Sequence, residues 1–527
     1  MVGSYTSSRS RRQYESTILE AQTSAVAFGS SGESSVISPE RNCLVITPYK
    51  HQLQAVEKLA RKELPGRLIA DEMGLGKTLE GLLIDAELRS RKHWERLPPK
   101  EQPPYMRPTL IVAPLATHYD AWVPAIRSLP ELSHWDEKAF RKNIVVIDPK
   151  KRHLLVERLK PPYPMYVIVH YEALRLIPEL KEITWFDIIC DEVHRVKNRK
   201  AQAAVNLKKL KTYFKTGLSG TPGDDKPADI WSVLNWLYPK EFASYWKFVN
   251  TYCIQETSEG KYGNTFRKIT GVNEAAVPTL HKEWDAWFLR RTKDEVGIDL
   301  PEKYYTPLHV DLLPAQRRAY DQMRKDMIAW IGEHEDTPLT APVVVSQLVR
   351  LQQMALATVD FEVVNDKGDT KVVLRSPSSK LNRLMELIED NANEPFVIFS
   401  QSRGMVNLVL DRASKAGILC AGYHGNVSLT DRDANVQAFQ AGDIQLLAAT
   451  IAAGREGITL HRSRTVVFLD RMWNPTKNLQ AEDRLHRIGQ KNAVQVIDIV
   501  ANDTVDMGRN QRIQTKLANL KILLGDK

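Results

Sequence analysis

The stretch Asp71-Glu72-Met73-Gly74-Leu75-Gly76-Lys77-Thr78 has the residue types and spacing to hold a phosphate. An apolar run, Leu68-Ile69-Ala70, precedes it, and Thr78 to Ala86 repeats apolar residues at helical spacing. Strand, Gly-bearing loop and helix N-terminus together cradle an anion. Loop N–H groups and the positive helix end face it, and Lys77 adds a point charge. The Thr78 hydroxyl is placed to hold Mg2+. The strict pattern begins with Gly, and Asp71 stands there instead.

A second chemical pair lies about one α/β domain downstream. The apolar run Trp185 to Cys190 ends in Asp191-Glu192. In a nucleotide hydrolase the first carboxylate holds Mg2+ and the second orients or activates the attacking water. Near the other end of the chain, Gln480 to Gln490 carries Arg484 and Arg487. Their spacing predicts one shared helix face and two cations on one γ-phosphate.

These groups need a scaffold. Thr109 to Pro114, Ile144 to Ile147, Tyr166 to Val169 and Tyr213 to Gly217 are further strands. Continuously apolar strands alternating with helical stretches predict an α/β fold with a parallel sheet covered on both faces. Strands at Phe396–Phe399, Ile418–Ala421, Leu446–Ala449, Val466–Leu469 and Val494–Ile497 predict a second sheet without its own phosphate loop. A nucleotide bound between the two lobes follows, with the second lobe supplying the cations.

Other stretches leave alternatives open. Gln52, in the helix opened by Pro48-Tyr49-Lys50-His51, has the donor and acceptor to read an adenine edge, or is a surface amide. Leu218-Ser219-Gly220-Thr221-Pro222 either relays phosphate state or is a plain turn. Residues 223–300 crowd aromatics on a helical stretch, which points to a small core rather than base stacking. Arg290, Arg291 and Lys293 place cations beside a hinge, or line a basic helix face. Long helices are expected around Ala315–Trp330 and Val344–Ala357. A hairpin from Phe361 to Leu374 should turn at Asp366-Lys367-Gly368-Asp369.

With 527 residues the chain needs two to four domains. At 43% hydrophobic and 26% charged it is globular, and no run of about 18 apolar residues would span a membrane. Four scattered cysteines and no leader-like N-terminus predict an intracellular, reduced protein. The net charge of +9 favours a polyanionic partner, or reflects a basic solvated surface. The expected organisation is a disordered, Ser-rich basic arm at 1–43, a first lobe at 44–225, a helical protrusion at 226–300, a helical protrusion and linker at 301–378, and a second lobe at 379–527.

On these stretches the chain resembles the Swi/Snf-related ATPases of helicase superfamily two. The phosphate loop with its acidic first residue, Asp191-Glu192-Val193-His194, Leu218 to Pro222, Leu289 to Lys293, and Trp473-Asn474-Pro475 with Gln480 to Gln490 all carry the likeness. It implies two RecA-like lobes with helical protrusions, closing on ATP-Mg2+ and double-stranded DNA. Gln52, Asp71 to Thr78 and Gly457 would bind nucleotide. Thr78 and Asp191 would hold Mg2+. Lys77, Asp191, Glu192, Arg484 and Arg487 would carry the chemistry. The implied activity is a DNA-dependent ATPase translocating along duplex DNA as a monomeric motor, with a possible targeting protein and no membrane. It would work inside the cell, in the cytoplasm if the protein is prokaryotic or viral and in the nucleus if it is eukaryotic. A strand-separating or RNA-directed helicase and a non-catalytic DNA-binding scaffold are the alternatives. The chain departs from the family pattern at Gly223-Asp224-Asp225 and at Arg455-Glu456.

Overall fold

The computed structural model describes residues 47–526 except 91–105, 116, 133–134, 148–156, 224–225, 260–264, 299, 334–341, 364–369, 455–457 and 488. The arm at 1–43, the predicted hairpin turn at 366–369, Asp224, Asp225, Arg455, Glu456 and Gly457 therefore lie outside the described residues.

The first half contributes β1 (Gly66–Ile69), β2 (Thr109–Val112), β3 (Ile144–Val146), β4 (Tyr166–Val169), β5 (Thr184–Asp191) and β6 (Lys211–Leu218). Next come β7 (Cys253–Glu259), β8 (Thr265–Val272) and the two-residue β9 (Phe288–Leu289). The first sheet runs β3-β4-β2-β5-β6-β1-β9, with every pairing parallel. Each residue of β1, β2 and β4 is buried, as a strand covered on both faces requires. Registers align the strand ends: Ile69 and Asp191 both lie opposite Leu218. Loops after β1, β5 and β6 thus emerge side by side at the carboxyl edge, where open α/β sheets bind ligands. Arg67 helps fix this order. Fully buried, it donates to Thr216 Oγ1 (3.3 Å), which donates to Asp187 Oδ2 (2.7 Å), joining β1, β6 and β5.

The second sheet is built from β10 (Lys303–Val310), β13 (Phe396–Ser400), β14 (Cys420–Tyr423), β15 (Leu446–Thr450), β16 (Thr465–Phe468) and β17 (Val494–Ala501). Its order is β10-β17-β16-β13-β15-β14, again all parallel. Between β10 and β13 the chain inserts helices Pro314–Glu333 and Pro342–Leu356 and the hairpin of β11 (Thr358–Val363) with β12 (Thr370–Arg375); Tyr320, Leu351 and Ala355 of the helices pack with Ala501 at the end of β17.

Four expectations need correction. Residues 226–300 are not wholly helical: helices Trp231–Leu237, Tyr245–Tyr252 and Val277–Trp284 flank an antiparallel β7–β8 hairpin, and β9 returns to the first sheet. Nor do the aromatics make a separate small core. Trp231, Trp236, Phe242, Phe248, Trp284 and Trp287 bury into the same cluster as Leu68, Val112 and Cys190. The linker at 301–378 opens with β10, which pairs with β17 along its whole length. Pro307 inside β10 obscures a strand, yet an edge strand tolerates it because one side of its backbone is unpaired. Finally, β14 begins two residues late, because Ile418 N–H closes the preceding helix on Ala413 O (3.0 Å) after Gly417 turns at φ 77°.

The helix Val505–Leu524 crosses between lobes. Its first turn is fixed to the second lobe by Lys380, whose Nζ lies 2.5 Å from Asp506 Oδ2, and by Arg509, which donates to Arg471 O (2.7 Å). Its last turn buries Leu520, Leu523 and Leu524 in the first-lobe core. The expected second lobe therefore ends on the first one.

Candidate active site

The phosphate loop turns on two glycines with left-handed backbone, Gly74 at φ 92° and Gly76 at φ 84°. A Cβ on Gly76 would sit 2.4 Å from Gln52 Nε2, so a larger residue would push the Gln52 amide off the loop as well as strain the backbone. The helix Lys77–Arg89 starts at once, presenting unpaired N–H groups. Lys77 Nζ donates to Asp71 O (2.7 Å) and Glu72 O (3.0 Å), so the ammonium sits in the crook of its own loop. Burial pulls its pKa below the ordinary lysine value, against the charges of Glu192, Asp71 and Glu80.

The carboxylate pair follows β5. Asp191 Oδ2 accepts from Trp122 Nε1 (3.0 Å), and its carbonyl accepts from Tyr171 Oη (2.6 Å). Burial, then the neighbouring Glu192 charge, push Asp191 up to about 6. Glu192 adopts φ 51°, ψ 51°, a left-handed conformation that costs a non-glycine residue about 1–3 kcal/mol. It turns the side chain off the strand and over the loop. Burial would raise Glu192, but the hydrogen bond and charge of His194, then Lys77 and Arg484, hold it below the ordinary carboxylate value. His194 Nδ1 lies 3.2 Å from Glu192 Oε2 and 3.0 Å from Ser219 Oγ, so the turn after β6 touches the turn after β5.

The second lobe closes the space. Met73, Gly74, Gly76, Lys77, Thr78, Asp191 and Glu192 line one cavity of about 260 Å³ with Gln480, Asp483, Arg484 and Arg487. Gln480 Nε2 lies 3.3 Å from Glu192 Oε1 across the lobes. Arg487 donates to Thr459 Oγ1 (2.8 Å). Burial first and the Arg487 charge second lower Arg484 to about 10. Two half-buried guanidiniums facing a lysine and a helix N-terminus make a cavity suited to a polyanion.

The two arginines are not on one helix face. The helix Pro475–Glu482 stops before them, and residues 483–487 form turns. Arg484 O accepts from Leu460 N–H (2.8 Å), and Asp483 is held by Lys293 and Lys303, so the backbone leaves the helical path.

Several expected nucleotide ligands face elsewhere. Gln52 Oε1 accepts from Tyr49 N–H (3.0 Å), and its Nε2 donates to Leu75 O (3.3 Å) and Gly76 O (3.4 Å). It buttresses the loop and is not among the cavity-lining residues. Leu75 is buried, and Glu72 Oε2 accepts from Lys293 N–H (2.8 Å). Asp71 is buried against Arg291 Nε (3.0 Å), which explains an acidic residue where the strict pattern has Gly. Pro114, Thr117, His194 and Arg195 line the cavity without having been given a role from sequence. Position offered the signal for Thr117, because it follows β2, the neighbour of β5. Thr78 and Asp191 share the cavity and fit a Mg2+ ion that also takes phosphate oxygens. Among the described residues no group of three or more His, Cys, Asp or Glu side chains could hold a metal alone.

Arg291 also pairs with Glu80 Oε1 (2.7 Å), so two buried carboxylates share one guanidinium. Burial, then the Asp71 charge, raise Glu80 to about 8 from its ordinary 4.5. The folded chain thus keeps a proton that the unfolded chain has released. That stabilisation is complete below about pH 4.5 and is lost as pH rises through about 8. Glu80→Gln is expected to flatten the fall of the thermal midpoint between about pH 5 and 8. An undiminished slope would assign the effect to another group.

A phosphate loop and paired carboxylates on one parallel-sheet lobe, faced by arginines from another, define a two-lobed P-loop nucleotide site. The chain belongs to the SNF2-related domain family: that family matches residues 50–358, and the helicase conserved C-terminal domain matches residues 379–489. A probable chromatin-remodeling complex ATPase chain of Oryza sativa subsp. japonica is 27% identical over 93% of this chain and 42% of its own length. The chromodomain-helicase-DNA-binding protein 1-like of Danio rerio is 26% identical over 90% of this chain and 43% of its own. The chain therefore spans less than half the length of these curated relatives. The solved Sulfolobus solfataricus SWI2/SNF2 ATPase core in complex with dsDNA is 24% identical, with a TM-score of 0.41, covering 94% of this chain and 96% of that one. Among the described residues no helix is long and apolar enough to cross a membrane.

Proposed function

We propose that the chain is a DNA-dependent ATPase that couples ATP hydrolysis to translocation along double-stranded DNA, remodelling DNA or protein–DNA complexes inside the cell. One observation supports this most: Lys77, Asp191, Glu192, Arg484 and Arg487, from both lobes, line a single cavity. Such a site is complete only while the lobes are closed. A partner lying across both lobes could then control turnover.

In this reading the loop from Met73 to Thr78 holds the phosphates and Thr78 and Asp191 hold Mg2+, which when bound neutralises developing charge on the phosphate oxygens. Glu192, kept ionised by His194, accepts a proton from the attacking water. Arg484 and Arg487 stabilise the charge on the transferred group. Gln52 acts on nucleotide through the loop it braces. DNA would be gripped mainly by its phosphates, giving strong salt dependence and little sequence preference. A monomeric motor directed by a separate targeting protein completes the proposal.

Steady-state ATPase rates with no nucleic acid, duplex DNA, single-stranded DNA and RNA test it. Low basal turnover with strong stimulation by duplex DNA is expected. Stimulation by RNA or single strands alone would transfer the assignment to a helicase. A rate that nothing raises above background would indicate a non-catalytic scaffold.

A further inference from the structure

The segment leaving β9 carries Arg290, Arg291 and Lys293, and each grips a different residue at the root of the phosphate loop. Arg290 donates to Ala70 O (2.6 Å) and pairs with Asp526 (2.7 Å). Arg291 holds Asp71 and Glu80. Lys293 binds Glu72 twice, through its backbone N–H (2.8 Å) and through Nζ, 3.5 Å from Oε1. The same Nζ crosses to the second lobe, reaching Asp483 Oδ1 (3.1 Å) and His486 O (3.2 Å). His486 Nε2 donates to Pro301 O (2.8 Å), which leaves Nδ1 as an acceptor 3.5 Å from Lys293 Nζ.

We propose that Lys293 is a positioning residue that ties the phosphate loop to the arginine pair. The path is short and continuous. Lys77 Nζ rests on Glu72 O, the Glu72 carboxylate rests on Lys293, and Lys293 rests on Asp483, whose next residue is Arg484. Movement of Lys77 off its loop carbonyls alters Glu72 and, through Lys293, the seating of Arg484. The link belongs between lobes rather than to the fold of either. Without Lys293, Asp483 still has Lys303 at 3.4 Å, and Glu72, with a side chain 33% exposed, can be solvated. This assignment rests on the ATPase reading above.

The test compares the full wild-type chain with Lys293→Met and Lys293→Arg by amide hydrogen exchange, ATP affinity and DNA-stimulated turnover. Lys293→Met should speed exchange across residues 483–487 by about fivefold or more, with β5 and β13 unchanged. Its kcat should fall on the order of 10²-fold, as a misplacement of about 1 Å in a catalytic group produces, with ATP affinity held within about threefold. Lys293→Arg should restore most of both. Unchanged exchange at 483–487 overturns the proposal, as does a loss of ATP affinity that accounts for the whole loss of activity. A wild-type chain that DNA does not stimulate would refute the ATPase reading, while the exchange comparison still decides the tie.

Discussion

Glu192→Gln should stop hydrolysis and leave ATP binding intact. Gln has the same length and meets the same cost at φ 51°, so the turn after β5 should survive. What disappears is the proton acceptor. A positioned general base contributes about 10²–10⁴-fold, and a loss of about 10³-fold in kcat is expected. Binding should hold or tighten, because Asp191 no longer faces a second negative charge and ionises more readily. Rapid-quench single turnover reads the chemistry, and titration with a fluorescent ATP analogue reads the affinity. Equal losses in both would place Glu192 in phosphate binding instead. Full activity would move the base to another cavity residue.

The parallel sheets were legible because their strands are continuous apolar runs bounded by turn residues, and a two-sided buried strand requires that composition. The phosphate loop and the Asp191-Glu192 pair were legible for a related reason. Each is a local string attached to such a strand, and the register placing Ile69 and Asp191 opposite Leu218 brings them together. Strands that depend on distant partners were harder to read. β9 has two residues, and β10 carries Pro307; both are strands only because β1 and β17 offer an edge.

Side-chain direction was the least legible part of the site. Asp71 lies within the phosphate loop yet serves Arg291, 220 positions away along the chain. Gln52 has the right atoms for an adenine edge, but its Nε2 donates to the Leu75 and Gly76 carbonyls and its Oε1 accepts from Tyr49 N–H. Nothing in the local sequence distinguishes a carboxylate or amide aimed at a ligand from one aimed at a distant partner. The cations of the Arg290–Lys293 segment show the same limit. Three charges in four residues look like one surface, and each in fact points to a different partner.

Arg484→Ala should nearly abolish DNA-stimulated turnover, and Arg487→Ala should cost less. Arginines contributed to a transferring phosphoryl group are worth about 10³–10⁵ in kcat. Arg484 is the better placed of the two. Burial and the Arg487 charge depress it to about 10, so the cavity holds it at a cost that an incoming anion relieves. Arg487 donates to Thr459 Oγ1 at 2.8 Å, a contact that divides its role between fold and site. A loss of about 10³-fold is expected for Arg484→Ala in DNA-stimulated turnover, with basal, DNA-free turnover changing far less, because the proposed mechanism assigns productive lobe closure to DNA binding. Arg484→Lys should recover little, since an ammonium cannot reproduce the planar two-point contact with phosphate oxygens. DNA binding measured without nucleotide should be unchanged in all three variants. Turnover assays with and without duplex DNA, run beside that binding measurement, check the whole pattern. Equal losses in basal and stimulated rates would place Arg484 in ground-state nucleotide binding, and full activity in Arg484→Ala with loss in Arg487→Ala would exchange their roles.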